Sequence, residues 1–256
     1  VRSGALRKSD EARRWSKLIL TQELAPLSGA ELVVEAVFED LDLKRRVLAE
    51  VEEVIEEDAV FASNTSALPI GEIARDAKHP ERILGMHYFS PVHKMPLLEI
   101  IVTDETTDWA RDRALAFGAS QGKSMIVVQD SPGFYTTRIL AGYLNEAMEV
   151  LAEGAAIEEI DRALKAFGFP VGPIALIDEV GVDVGAHVAR DLGAAFQERL
   201  GEPSDLLPQM VDAGFLGRKS GRGFYLYPKR KRKGSKRPNL ATYRLVGGEE
   251  RSPIVT

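Results

Sequence analysis

Residues 30–63 read AELVVEAVFEDLDLKRRVLAEVEEVIEEDAVFAS, and the fold is decided here. Leu32-Val33-Val34 is apolar on both faces up to Glu35, the texture of a parallel strand covered by helices on either side. Leu43, Val47, Leu48, Val51, Val54 and Ile55 then recur at helical spacing. Ala59-Val60-Phe61-Ala62 starts a second short apolar strand. Strand, helix and strand in that order form the repeating unit of a parallel sheet.

The alternation extends in both directions. Upstream, residues 5–18 are polar and helical in character, and Ile19-Leu20-Thr21 reads as strand. Downstream, a helix starts at Ile70 to Ala74, strands cover Arg82 to His87 and Leu97 to Val102, a helix covers Trp109 to Gln121, and a strand covers Ser124 to Val128. The expectation is an α/β, Rossmann-type, doubly wound parallel sheet over residues 1–130. After Asp130-Ser131-Pro132-Gly133 the periods turn helical. Helices are predicted at Tyr135 to Glu153, Ile157 to Phe167, Asp183 to Arg199 and Ser204 to Ala213, and a single strand at Gly223 to Tyr227. Glu158, Glu159 and Asp161 stand at the dipole-positive end of the second helix. Residues 131–228 are therefore expected to form an all-α domain, and 229–256 a basic linker or tail.

Composition narrows the function classes. With 256 residues, 45% of them hydrophobic, the chain has material for substantial cores. A net charge of −6 gives no electrostatic reason to expect nucleic acid or an anionic membrane as partner. The one basic run, Lys229 to Lys233, is either a solvated linker or a contact for the phosphates of a ligand. Without cysteine there are no disulfides, no thiolate catalysis and no Cys-based zinc site, which suits a cytoplasmic location. No run reaches the length of a membrane span, and Val1 to Gly4 does not read as a signal peptide.

Parallel sheets receive ligands beyond the carboxyl ends of their strands, so polar residues that end apolar runs are the candidates for chemistry. Ser63-Asn64-Thr65-Ser66 is either a cradle for a ligand hydroxyl or amide, or a turn capping the next helix. His87 ends a strand, where a lone histidine is either structural or catalytic. Glu99 lies inside the apolar run Pro96 to Val102, where a carboxylate is costly unless a cation or a strong donor meets it. If the two strands are neighbours, Glu99 accepts from one imidazole nitrogen and leaves the other to take a proton. Glu35 also ends an apolar strand; pairing or helix capping accounts for it. His79, His93 and His187 sit in helical, polar or loop contexts that suggest no chemistry.

The string GMHYFSPVHKMPLLEI, Gly85 to Ile100, resembles the signature of the 3-hydroxyacyl-CoA dehydrogenases. The likeness extends to VVEAVFEDLDLKR (Val33 to Arg45), SNTSALPI (Ser63 to Ile70), DSPGFYTTRIL (Asp130 to Leu140), FGFPVGPIALIDEVGVDVG (Phe167 to Gly185) and GRKSGRGFY (Gly217 to Tyr225). These segments stand in the family's order and spacing over almost all of residues 18–228. The FYTTRIL variant and the tail look most like the dehydrogenase portion of the large multifunctional β-oxidation proteins. The resemblance implies NAD as cofactor and oxidation of an (S)-3-hydroxyacyl-CoA to the 3-ketoacyl-CoA in fatty-acid β-oxidation, with a short-chain 3-hydroxybutyryl-CoA enzyme as the alternative.

By the same resemblance His87 is the catalytic base and Glu99 its partner. Ser66 contacts the substrate hydroxyl near the nicotinamide, and Val37, Phe38, Glu39 and Lys44 contact NAD. Ser90, a cofactor contact, and Thr137, a substrate contact, stand where the family commonly has asparagine; each keeps a hydroxyl. The implied partners are an acyl-CoA substrate and either a second copy in a homodimer or a larger β-oxidation complex with a thiolase. No G-x-G-x-x-G occurs in the chain, so the sheet is expected to be N-terminally truncated, without the first strand–helix unit and its pyrophosphate loop. A catalytically silent docking fragment is the reading of a different class that this gap suggests.

Overall fold

The alternating runs of the first half become one five-stranded sheet in sequential order, β1 (Leu32–Glu35), β2 (Val60–Ser63), β3 (Ile83–Tyr88), β4 (Leu97–Val102) and β5 (Ser124–Gln129). The computed structural model describes residues 8–200, 204–228 and 236–245. β1–β2, β2–β3 and β4–β5 pair in parallel, whereas β3–β4 is antiparallel. The sheet is thus mixed, mainly parallel and Rossmann-like. Helix α1 (Lys8–Trp15) precedes it, and α2 (Leu41–Glu52), α3 (Ile70–Ile73) and α4 (Asp108–Ser120) lie in the connections between parallel neighbours. Only the reversal from β3 to β4 is made by a short loop, which an antiparallel pair allows.

Local chemistry explains the boundaries. Asp40 caps α2, its side chain accepting from the Leu43 N–H at 2.8 Å. Val60, Ala62, Leu84, Met86, Leu98 and Ile100 bury one face of the sheet against Ala110 and Ala114 of α4. Two expectations are corrected. Ile19-Leu20-Thr21 forms no strand; Ile19 and Leu20 are exposed and lie outside any helix or strand. β1 is not covered as a central strand is, since among the described residues it pairs only with β2, and Leu32, Val33 and Val34 are half-buried.

The chain divides into two units, Val1–Thr65 with Ile70–Gln129 and Ser66–Pro69 with Asp130–Thr256. The second unit is helical: α5 (Thr136–Glu153), α6 (Ile157–Phe167), α7 (Pro173–Val180), α8 (Val182–Leu200) and α9 (Leu206–Asp212), followed by β6 (Tyr225–Leu226), β7 (Arg237–Pro238) and α10 (Leu240–Leu245). Helix α7 was not legible in the sequence because it is apolar nearly all round, with Ile174, Ala175 and Ile177 buried. Pro173 at its first turn was the available signal. The tail also departs from expectation. Asn239 donates through Nδ2 to the Gly223 carbonyl at 2.8 Å, and the buried Tyr243 hydroxyl accepts from the Ile157 N–H at 2.9 Å, so residues 236–245 are fastened to the helical unit, with Tyr243 in its core. The basic run Lys229 to Lys233 lies outside the described residues.

Two buried carboxylates organise this unit. Asp161 of α6 accepts from the Ile174 and Ala175 N–H groups, capping α7 from a neighbouring helix, and from the Tyr225 hydroxyl at 2.7 Å. Asp178 of α7 accepts from the Phe224 and Tyr225 N–H groups at 2.9 and 2.8 Å and from the Tyr227 hydroxyl at 3.0 Å. Burial pushes the Asp178 carboxyl above the usual carboxylate range, and these three donors oppose that rise. Burial first, and then the bond to Asp161, holds the Tyr225 phenol far above its ordinary value, so it remains a donor. Asp178→Ala is expected to destabilise the protein by roughly 2–4 kcal/mol, because two buried N–H groups lose their acceptor. Urea unfolding checks this; an unchanged midpoint would mean that water satisfies both.

Candidate active site

Antiparallel pairing puts directly opposed side chains on one face of a sheet. In the β3–β4 ladder His87 lies opposite Glu99. His87 Nδ1 is 2.6 Å from Glu99 Oε2, with the carboxylate fully buried and the imidazole nearly so. An ionised carboxylate only accepts, so Nδ1 carries the hydrogen and Nε2 is left as the basic nitrogen. The carboxylate that made no sense in an apolar strand thus has its donor. Phe89 stands beside the pair, its ring 4.4 Å from the imidazole and tilted by 40°.

Neighbouring elements hold the strand ends. Asn64 Oδ1 accepts from the Tyr88 N–H at 3.1 Å, tying the turn after β2 to the residue next to His87. The loop over residues 89–96, which joins the two strands of the pair, contains Ser90 and a cis Ser90–Pro91 bond. Lys123 fastens it, donating to the carbonyls of Val92 and Met95, and its ammonium lies 5.8 Å from the Tyr88 ring centre. An open cavity of about 340 Å³ lies between this loop and Gln121 to Lys123. Neither Asn64 nor Lys123 stood out individually in the sequence, because each acts on a backbone group and nothing in its local pattern marks that.

The carboxyl ends of β1 and β2 carry a second cluster. Glu35 accepts through Oε1 from the Val37 N–H at 2.6 Å and through Oε2 from the Ser63 hydroxyl at 2.6 Å. Lys44 donates to both oxygens, at 3.0 and 3.1 Å. Lys44 also pairs with Glu39 at 3.5 Å, and Glu39 accepts from the Thr65 hydroxyl at 2.5 Å. The Lys44 side chain is fully buried and directed at the two carboxylates. Val37 and Phe38 do face outward, Phe38 being 86% exposed. Ser63 and Thr65 serve these carboxylates, which the alternatives of ligand cradle or helix cap did not include.

His87 and Glu99 are therefore brought together, as are Val37, Phe38, Glu39 and Lys44. Ser90 is exposed in the first unit. Ser66, exposed, and Thr137, half-buried in the first turn of α5, belong to the second unit. Among the described residues no helix is long and apolar enough to cross a membrane.

Two family models match the sequence. The one described as 3-hydroxyacyl-CoA dehydrogenase, NAD binding domain, covers residues 1–131, and the one described as 3-hydroxyacyl-CoA dehydrogenase, C-terminal domain, covers residues 133–227. Among solved structures, FadB2 of M. tuberculosis is 39% identical with a TM-score of 0.84, over 89% of this chain and 81% of that one. The (S)-3-hydroxybutyryl-CoA dehydrogenase PaaH1 of Ralstonia eutropha is 37% identical with a TM-score of 0.84, over the same shares, 89% and 81%. The dehydrogenase part of multifunctional enzyme 1 from C. elegans is 26% identical with a TM-score of 0.61, over 98% of this chain and 57% of that one.

Proposed function

The chain belongs to the 3-hydroxyacyl-CoA dehydrogenase family, an NAD-dependent dehydrogenase, and from that premise we propose that it oxidises the 3-hydroxyl of (S)-3-hydroxyacyl-CoA thioesters in fatty-acid breakdown, with His87 as base and Glu99 as its partner. The observation that carries the assignment of roles is the buried 2.6 Å contact between His87 and Glu99 at the end of an antiparallel strand pair. His87 Nε2 takes the hydroxyl proton. Glu99 keeps the hydrogen on Nδ1 and stabilises the imidazolium as the proton arrives. NAD, when bound, supplies the acceptor for the hydride leaving the same carbon, which no side chain can provide.

The residues present fit the nicotinamide end of such a cofactor. Ligands of these sheets lie beyond the carboxyl ends of the parallel strands, and there the segment Val37 to Glu39 stands exposed on the buried Glu35–Lys44 support. Val37, Phe38, Glu39 and Lys44 would hold that end, with Ser66 and with Ser90 from the loop after β3. Ser66 and Thr137 would contact the substrate. The implied associations, a homodimer or a β-oxidation complex with a thiolase, and a cytoplasmic location belong to the same proposal.

A second reading, a preference for short acyl chains, is favoured by the identity of 37% to an (S)-3-hydroxybutyryl-CoA dehydrogenase and of 35% to the 3-hydroxybutyryl-CoA dehydrogenase of Escherichia coli. NADH formation by the full-length protein on a panel of 3-hydroxyacyl-CoA chain lengths separates the readings. A kcat/KM falling at least tenfold from the four-carbon substrate to long chains selects the second. No turnover on any member would reject both.

A further inference from the structure

We propose that Lys123 is a positioning residue for the reaction: together with Gln121 it clamps the loop that joins β3 to β4, and so holds His87 against Glu99. The inference rests on the roles given above to His87 and Glu99 and adds the residue that keeps the pair aligned from outside it.

The pair stands near the open end of its ladder. Only one further rung, Tyr88 opposite Leu98, follows His87 opposite Glu99 before the strands part. The loop over residues 89–96 is longer than the roughly two to five residues at which turn geometry itself sets the register of a hairpin. Burial of the strands excludes a slip by a whole residue, because that would carry the apolar set of one strand to the other face. Burial does not set the finer alignment on which a 2.6 Å contact depends.

A single turn supplies that alignment. Past the end of α4, Gly122 takes a φ of 73°, with its N–H on the Ala119 carbonyl and the Lys123 N–H on the Gly118 carbonyl, which directs the chain into β5. From this turn Gln121 accepts from the Tyr88 hydroxyl at 2.8 Å, holding the last residue of β3. Lys123 donates to the Val92 and Met95 carbonyls, across the loop. The Ser124 N–H donates to the Pro96 carbonyl at 2.8 Å, just ahead of β4. Both arms of the hairpin are thus referred to one stretch, Gln121 to Ser124.

Solvation does not account for the placement of Lys123. A lysine near a protein surface ordinarily leaves its ammonium in water. Among the described residues this one forms no ion pair and directs two of its three donors at loop carbonyls, where a charged donor bonds more strongly than a neutral one. Its ammonium, 5.8 Å from the Tyr88 ring centre, adds a second hold on the end of β3.

Two measurements on the full-length protein test the proposal. In steady-state turnover Lys123→Met is expected to lower kcat by about 10- to 100-fold, the scale of a small misplacement of reacting groups, while KM for NAD stays within about twofold. Lys123→Arg can still donate to both carbonyls and should keep kcat within about threefold. In a Glu99→Gln background Lys123→Met should lower kcat by less than about twofold more, because the contact it aligns is already lost. An unchanged kcat in Lys123→Met, equal losses in Lys123→Met and Lys123→Arg, or losses that multiply with Glu99→Gln would overturn the proposal.

The second measurement needs neither acyl-CoA nor NAD. Proton NMR of the resting protein should show the buried His87 Nδ1–H far downfield, as a short charge-assisted bond requires, identified by its absence in His87→Gln. Lys123→Met should shift that resonance upfield or broaden it, whereas an identical signal would overturn the idea. Should Lys123→Met fail to fold, Tyr88→Phe decides. It removes only the hydroxyl held by Gln121, and it should lower kcat by roughly threefold and move the same resonance; no change in the resonance would overturn the clamp. A wrong substrate assignment leaves the NMR result intact and shows instead as absence of turnover in the unmodified protein.

Discussion

His87→Gln in the full-length protein is expected to lower kcat by a factor of about 10²–10⁴ while NADH affinity stays within about twofold. An amide has no basic nitrogen, so the hydroxyl proton loses its acceptor at the moment the hydride departs. Glutamine still donates a hydrogen bond, and its amide group spans the same pocket, so Glu99 does not become a buried unpaired charge. The fold should survive, which isolates the chemical effect from the structural one. Steady-state NADH formation with saturating substrate measures it. A kcat unchanged by the substitution removes His87 from the reaction.

Glu99→Gln is expected to lower kcat by about 10²–10⁴, almost as much as loss of the base, although Glu99 need never meet the substrate. Glu99 fixes the hydrogen on Nδ1 because a carboxylate can only accept, at 2.6 Å. Glutamine turns that site into a group that also donates. If its NH₂ faces Nδ1, the imidazole hydrogen moves to Nε2, and the base then presents a donor where an acceptor is needed. It also removes the negative charge that stabilises the imidazolium. Replacing an ionised group in a site with no exposure relieves desolvation, so Tm is expected to hold or rise while activity falls. Full activity in a folded Glu99→Gln variant would reduce the contact to packing.

Much of this was legible in the sequence because the signals were local. The period of Leu43 to Ile55 gave α2, the apolar runs gave β2 to β5 within a residue or two, and Asp130-Ser131-Pro132-Gly133 marked the change of texture. A carboxylate in the middle of LLEIIV drew attention to Glu99 through its cost alone. What was not legible depended on pairings made across the chain. Lys44 could not be seen as buried, since its sequence neighbours are charged and only the fold brings Glu35 and Glu39 to it. Tyr243 and Asn239 sit in a stretch that looks like linker, yet they fasten to Ile157 and Gly223, residues far upstream. The antiparallel turn between β3 and β4, which makes His87 and Glu99 neighbours, is encoded only by the shortness of the loop over residues 89–96.

The most direct test of the central claim follows the hydrogen itself. The full-length protein is incubated with NAD and a 3-hydroxyacyl-CoA carrying deuterium on C3, and the NADH formed is analysed by mass spectrometry. The account predicts deuterium in the NADH of the unmodified protein, with the same labelled product forming about 10²–10⁴ times more slowly in His87→Gln. NADH formed without the label, or labelled NADH appearing at the same rate in both proteins, would contradict it.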